Sequence, residues 1–408
     1  MIKEKVDIVI FRYSPITINL YKLQGAKIII APTSQKNNYD FMVQKYNFMN
    51  KVYYVENMNM EYVISILDKI NLHYSIASIT TLSEDDIEWI GLLNDYYVGN
   101  CSRYVNNSLF RNKYYMRCFL KDIVKEPIFI MPNSINELMN FLEYNKEYVI
   151  KPINGEGAQG VTFFKLEDVR NNTDFFKEKL SSKSFLIEEK VLNPKMITCD
   201  GYAVGKKIIR FFIHEYNDLI TNALSQNSYT AIFTSDINTI YDKKYQIKGL
   251  CQKVLNRLGM ENELTPFHFE WFYSGNEFVF CEVAKRFGGA NIPQLINESY
   301  NIDILNEYWN ESFPSDIDSS DKLHPHKLSC CILAYAKKGT LKSVPNLPKS
   351  LKCKFKIYKC FVKEGDFCED SKELSNQLFS CMFTSNSLEE QNKTIDETIE
   401  FKNLFTFC

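Results

Sequence analysis

FHFEW (267–271) and FVFCEVAKRFGG (278–289), with a short turn between them, decide how this chain is read. Both alternate apolar and polar residues as half-buried strands do, and Ser274, Gly275 and Asn276 supply turn chemistry. With a three-residue loop, Gly275–Glu277, Glu270 stands directly opposite Glu282. Strand side chains repeat every two residues, so both carboxylates then share one face. Opposed carboxylates repel by roughly 0.2–1 kcal/mol, and partial burial worsens the conflict. A divalent cation between them removes it. An all-oxygen site of this kind suits magnesium or manganese, ions that carry phosphates. His268 and Phe269 are read as core or supporting residues behind the pair.

The composition excludes several classes. The chain has 408 residues, 45% apolar and 24% charged, which is ordinary for a soluble protein of two or three domains. A net charge of −2 gives no electrostatic case for nucleic acid or an acidic membrane surface. No apolar run reaches the ~18 residues of a membrane span. MIKEKVDIVIFRYS at the start lacks the apolar region and cleavage site of a signal peptide, so a cytoplasmic location is expected. Twelve cysteines without a C-x-x-C pair are expected to be buried, reduced thiols, among them Cys118, Cys281, Cys330 and Cys331. Only five histidines are present, and none shows Cys-His metal spacing.

Three regions follow from the periodicity. Residues 1–105 alternate strands (6–11, 27–33, 51–56, 73–81) with helices (about 15–23 and 61–70), which predicts a parallel α/β domain. It lacks a G-x-G-x-x-G fingerprint. Residues 106–310 read as α+β: helices at 109–123, 135–144 and 245–260, strands at 127–131, 147–152, 161–165 and 184–191, then the glutamate hairpin and a mostly helical stretch, 291–312. Gly259 suits a helix C-cap. Residues 311–408 read as a β-rich unit with a final helix, 387–401, that opens on a Ser-x-x-Glu capping box.

Further candidates accompany the glutamates. KPINGEGAQGV (151–161) places Lys151 at a strand end before Gly155, Gly157 and Gly160. Such glycines let backbone amides approach a phosphate, although a plain hairpin loop reads the same way. Lys113 on its helix is by itself an ordinary solvated lysine. Glu188 and Glu189 end a strand, where an acceptor could take an adenine amine, or both could lie at the surface. Arg286 shares the pleat parity of Glu282, which suits a phosphate contact as well as a surface ion pair.

The order of these signals is more informative than any one of them. A helix lysine (Lys113), a Lys-Pro strand with a Gly-rich loop (Lys151–Gly160), a Glu-Glu strand (Glu188, Glu189), an H-x-E strand (His268, Glu270) and an E-x-x-x-R-x-G-G segment (Glu282–Gly289) occur in sequence. The chain resembles the ATP-grasp superfamily of carboxylate–amine ligases over nearly its whole length. KKGTL near 338 and VKEGD near 363 are similar to the tail of amino-acid ligases that make dipeptides. The resemblance implies an N-terminal α/β domain, a central nucleotide-binding part and a C-terminal β-rich extension completing the ATP-grasp unit.

Carried over by position, the resemblance implies that Lys113 and Lys151 hold ATP phosphates under a flap at 154–160. Glu188, with backbone near Val191 and with Glu189 beside it, would bind adenine. Glu270 and Glu282 would bind magnesium or manganese, Arg286 would steady the transferred phosphate, and Gly288 and Gly289 would open the loop beside the carboxylate substrate. Ala284 stands where the family usually has a metal-binding asparagine, with Asn291 a candidate replacement. Ala158, Asn112 and Thr198 also depart from common family residues. The implied reaction is ATP-dependent amide formation through an acyl phosphate, from a carboxylate and an amine that is free or carrier-bound. The alternatives are a phosphotransferase of the same fold and a catalytically silent nucleotide-binding protein. Tyr229, Arg210 and Asn291 are candidate substrate-pocket residues, and a homodimer is expected by analogy.

Overall fold

The computed structural model describes residues 3–25, 27–99, 102–234, 243–259, 264–274, 277–313, 323–371, 374 and 376–408. Four parallel strands come first: β1 (Glu4–Ile10), β2 (Lys27–Pro32), β3 (Lys51–Val55) and β4 (Tyr74–Thr80), in the order β3-β2-β1-β4. β1 from Ile8 to Ile10 and β2 from Ile28 to Ala31 are apolar and buried because both faces are covered there. Ile8, Ile10, Ile28 and Ile30 face one core, and Val9, Ile29 and Ala31 another. The helix expected at 15–23 is only a 3₁₀ turn at Leu20–Lys22, since Asn19 takes the left-handed conformation (φ 50°).

The next four strands, β5 (Phe129–Ile130), β6 (Tyr148–Pro152), β7 (Thr162–Phe164) and β8 (Phe185–Glu189), form an antiparallel sheet ordered β5-β8-β6-β7. Tyr148, Ile150, Phe164 and Ile187 pack into a core with Leu138, Val169 and Phe176 from the covering helices. The opposite face carries Val149, Lys151, Phe163 and Glu188, because the pairs Val149↔Glu188 and Val149↔Phe163 fix the parity.

The remaining strands are β9 (Lys195–Val204), β10 (Lys207–Tyr216), β11 (Tyr229–Thr234), β12 (Leu264–Ser274), β13 (Glu277–Ala284), β14 (Leu328–Tyr335), β15 (Gly339–Ser343), β16 (Phe355–Cys360), β17 (Phe367–Cys368), β18 (Gln377–Ser385) and β19 (Thr406–Phe407). An eight-stranded antiparallel sheet runs β13-β12-β9-β10-β11-β14-β18-β16, and β17-β15-β19 make a small one. The long β9–β10 hairpin was not foreseen. The C-terminal strands β14, β16 and β18 continue the glutamate sheet, so they do not build a sheet apart from it. One face of this sheet (Phe267, Phe269, Trp271, Phe280) packs on Ile247, Cys251, Val254 and Leu255 of the helix Lys244–Leu258 and on Met116 of the helix Lys113–Leu120. That helix ends at Gly259 (φ 86°), as expected. The mostly helical stretch after the hairpin is two helices, Ile292–Tyr300 and Ile304–Trp309.

The thiol expectation holds for Cys281, Cys330 and Cys331, whereas Cys118 is exposed on its helix. Among the described residues, no helix is long and apolar enough to cross a membrane.

Two glycines test this packing. A Cβ on Gly201 of β9 would lie 1.9 Å from the Arg210 carbonyl oxygen, whereas one on exposed Gly249 would meet nothing within 4 Å. Gly201→Ala is expected to lower unfolding stability by about 2–3 kcal/mol or more. Gly249→Ala, in a helix interior, should raise it by about 1 kcal/mol. Urea titration of both variants checks the pair.

Candidate active site

Glu270 on β12 pairs directly with Glu282 on β13, as the sequence indicated, but by a different route. Ser274 pairs with Glu277, which shortens the connection to Gly275 and Asn276, residues outside the described ones. With that turn, a regular ladder would set Cys281 opposite Glu270. The register instead shifts between Glu270 and Trp271, so Cys281 is the extra residue of a β-bulge and Glu282 moves into place. Burial keeps the bulge. Phe267, Phe269, Trp271 and Phe280 are fully buried on the opposite face. Each contributes roughly 1.5–3 kcal/mol, more than the 0.2–1 kcal/mol of carboxylate repulsion.

Arg117 fixes the bulge from behind. Its guanidinium is fully buried, donates to the Cys281 carbonyl at 2.8 Å and meets Glu188 Oε1 at 2.7 Å. Lys151 reaches the other Glu188 oxygen at 2.7 Å. Burial opposes the Glu188 charge, but Arg117 and Lys151 outweigh it and hold the carboxyl below its usual range. Both Glu188 oxygens are thus engaged by cations. Glu189 points elsewhere, to Lys146 at 3.0 Å.

Lys113 is buried rather than solvated. Asn112 caps its helix by accepting from the N–H groups of Tyr114 and Tyr115, which places Lys113 in the first turn. From there its Nζ lies 2.8 Å from Glu282 and donates to the Gly155 carbonyl at 2.5 Å. Burial again opposes the Glu282 charge, and Lys113 outweighs it and holds that carboxyl low. The loop after Lys151 turns on left-handed Gly157, Ala158 and Gly160, and the Gly157 carbonyl accepts from Leu374 N–H at 3.3 Å.

A buried polar chain supports Glu270. Tyr216 donates to it at 3.2 Å, and His268 Nε2 lies 3.7 Å away. On the ring's other side, Nδ1 donates to Asp200 at 2.9 Å, and Thr198 and the Gly288 N–H also donate to Asp200. Gly288 must be glycine here, since a Cβ would come within 2.6 Å of Asp200 and 2.7 Å of His268. Burial disfavours an imidazolium, but Asp200 and Glu270 prevail and push His268 up to about 10. Arg286 is gripped through Nε and Nη2 by Glu84, at 2.6 and 2.5 Å.

One cleft between the four-stranded sheet β5-β8-β6-β7 and the eight-stranded sheet gathers Lys113, Lys151, Gly155, Gly157, Glu188, Glu189, Val191, Glu270, Glu282 and Arg286. Its volume is about 210 Å³. Tyr229, Arg210 and Asn291 do not line it. Arg210 is bound to Glu307, and the Asn291 amide lies against the Cys331 sulfur. Thr230, Ala290 and Ile292 line the cleft in their place. Sequence reasoning missed Arg117, Asp200, Tyr216 and Glu84. For a metal, the cleft offers two carboxylates, and no group of three or more His, Cys, Asp or Glu side chains able to hold one exists among the described residues. This donor set fits a cation shared between one or two carboxylates and phosphate oxygens, and does not fit a standing all-protein site.

The whole architecture superposes on solved structures. An L-amino acid ligase from Bacillus licheniformis is similar at TM-score 0.74 with 13% identity, covering 98% of each chain. A carboxyaminoimidazole ribonucleotide synthase from Aspergillus clavatus, solved with ATP, is similar at TM-score 0.67 and 10% identity, over 98% of this chain and 99% of that one. The chain has the ATP-grasp fold. The biotin carboxylase domain of the Hydrogenobacter thermophilus 2-oxoglutarate carboxylase, solved with magnesium–ADP and bicarbonate, shares this ATP-grasp architecture at TM-score 0.63 and 13% identity, over 98% of this chain and 90% of that one. No family model and no curated protein matches the sequence. The cleft of this fold lies between the four-stranded sheet β5-β8-β6-β7 and the glutamate face of the eight-stranded one.

The buried imidazolium makes a pH prediction. The His268 folded value, about 10, lies above its ordinary 6.5. Its stabilisation is therefore complete below about pH 6.5 and is lost as pH rises through about 10. His268→Gln should flatten the decline of urea stability over that window. A wild-type-like slope in the variant would show that the ring is not held charged.

Proposed function

We propose that the chain is an ATP-dependent ligase that joins a carboxylate, an amino acid, to an amine and releases ADP and phosphate. The observation that carries this reading is the convergence of Glu270 and Glu282 with Lys113, Lys151 and Arg286 in one cleft. Each cation there already holds a carboxylate: Lys113 with Glu282, Lys151 with Glu188, Arg286 with Glu84. A triphosphate tail and its divalent cations bring both signs of charge together. The lysines would then exchange carboxylate for phosphate, Glu282 would exchange the Lys113 ammonium for the metal that Glu270 shares, and the cleft would stay close to neutral. With Glu188 fixed by the buried Arg117, recognition of the adenine edge falls to backbone near Val191, with Glu189 beside it.

Magnesium or manganese, held by Glu270 and Glu282, would supply charge neutralisation at the phosphates. The chain's own residues do the rest. Lys113 and Lys151 orient the phosphates, and Arg286 meets charge developing on the transferred group. The loop 154–160 shields the acyl phosphate from water until the amine displaces phosphate. No Ser-His-Asp arrangement is required, because such transfer depends on positioning and charge more than on covalent help. The amine acceptor is free or carrier-bound, and the enzyme acts in the cytoplasm. The second reading, a silent nucleotide-binding protein, draws on Ala284, which leaves the metal without a third protein ligand.

Release of ADP and phosphate against a panel of amino acids, with the products identified, separates the readings. Amide product with both ions released is the expected result. A phosphorylated acceptor without amide indicates a phosphotransferase, and nucleotide binding without turnover indicates the silent protein. Glu270→Gln and Glu282→Gln should each lower turnover by about 10³-fold or more. Lys151→Ala should raise the ATP requirement about tenfold or more. Near-normal rates in either glutamate variant would remove the metal assignment.

A further inference from the structure

The turn after β4 carries three consecutive acids, Glu84, Asp85 and Asp86, all in the 3₁₀ turn Glu84–Asp86. Each is used differently. Asp86 is bound by Arg12, whose guanidinium also donates to the Met58 carbonyl, so this pair closes within the N-terminal sheet region. Asp85 accepts from Tyr13 at 2.7 Å and from Arg111 at 3.2 Å. Of the three, Glu84 pairs with Arg286, which lines the cleft. One oxygen takes both Nε and Nη2 of Arg286, and the other takes Arg111 Nη1 at 2.9 Å. The third Arg286 nitrogen, Nη1, donates to the Phe287 carbonyl at 3.0 Å. The guanidinium is thereby held at every nitrogen, although its side chain follows the strand end and is only half-buried.

We propose that Glu84 is a positioning residue for Arg286: the N-terminal region supplies the carboxylate that aims the phosphate-binding guanidinium into the cleft. The proposal rests on the role given to Arg286 above. An arginine side chain loses up to about 2 kcal/mol of rotamer freedom when ordered, and a fixed carboxylate meets that cost before the nucleotide arrives. Glu84 does not stand in for the substrate, because Arg111 anchors it from the other side and it has no reason to leave when phosphate enters. Its charge is secured as well. Burial works against it, but Arg286, Arg111 and Lys113 hold the carboxyl down at about 2.

The test uses calorimetry on the full chain with magnesium–ADP and with a magnesium complex of a non-hydrolysable ATP analogue. The ratio of the two affinities reads the contact to the terminal phosphate, and ADP affinity reports intact folding. Glu84→Gln should lose about tenfold of analogue affinity with ADP affinity unchanged. Glu84→Asp, which keeps the charge, should recover part of it. Arg286→Gln should lose at least as much, and the double variant no more than Arg286→Gln alone. If Arg286→Gln collapses the ratio and Glu84→Gln does not, the positioning role is wrong and the site reading stands. If neither changes the ratio, Arg286 does not bind the terminal phosphate and both claims fall. Equal loss of both nucleotides in Glu84→Gln would mark a purely structural ion pair and also overturn the proposal.

Discussion

The cleft depends on a single buried guanidinium. Arg117 has no exposure to water, so its charge survives only because Glu188 and the Cys281 carbonyl receive it. Removing one partner from such a pair costs about 3–5 kcal/mol, since the survivor is left charged in a poor solvent. The two acceptors sit on different sheets, Glu188 on the four-stranded one and Cys281 on the edge strand of the eight-stranded one. Arg117 therefore spaces the walls of the cleft and, through the bulge it grips, sets the register of Glu282.

From that point the polar contacts form a relay of opposite charges. Glu188 holds Lys151, Lys113 bridges Glu282 and the loop at Gly155, and Glu84 holds Arg286. None of these pairs is at the open surface, where an ion pair is worth about 0–1 kcal/mol. In a partly desolvated cleft the same contacts order long side chains that would otherwise sample many rotamers. The site is preorganised by carboxylates that a ligand can replace at Lys113 and Lys151 and cannot replace at Arg117.

Much of this was legible in the sequence, and the limits have physical causes. The alternation in FHFEW and FVFCEV announced two strands, and the buried aromatic face explains why the pattern was clean. Gly259 and Ser387 marked helix ends through local rules, and the Ser387 side chain does accept from Glu390 N–H. The facing of Glu270 and Glu282 was foreseen for a wrong local reason. A three-residue loop and a two-residue turn with a bulge give the same opposition, and only packing against Phe280 and Arg117 distinguishes them. Arg117, Asp200 and Glu84 were missed because each partner lies far along the chain: Glu188, His268 and Arg286. Arg210 was misjudged for the same reason, as nothing near it in sequence advertises Glu307.

The left-handed Ala158 in the loop over the cleft has a consequence of its own. A residue with a Cβ resists that conformation by roughly 1–2 kcal/mol, and the Leu374 N–H bond to the neighbouring Gly157 carbonyl helps to hold it. Glycine at position 158 would take the same turn without that cost, so the loop carries a local strain that one substitution relieves.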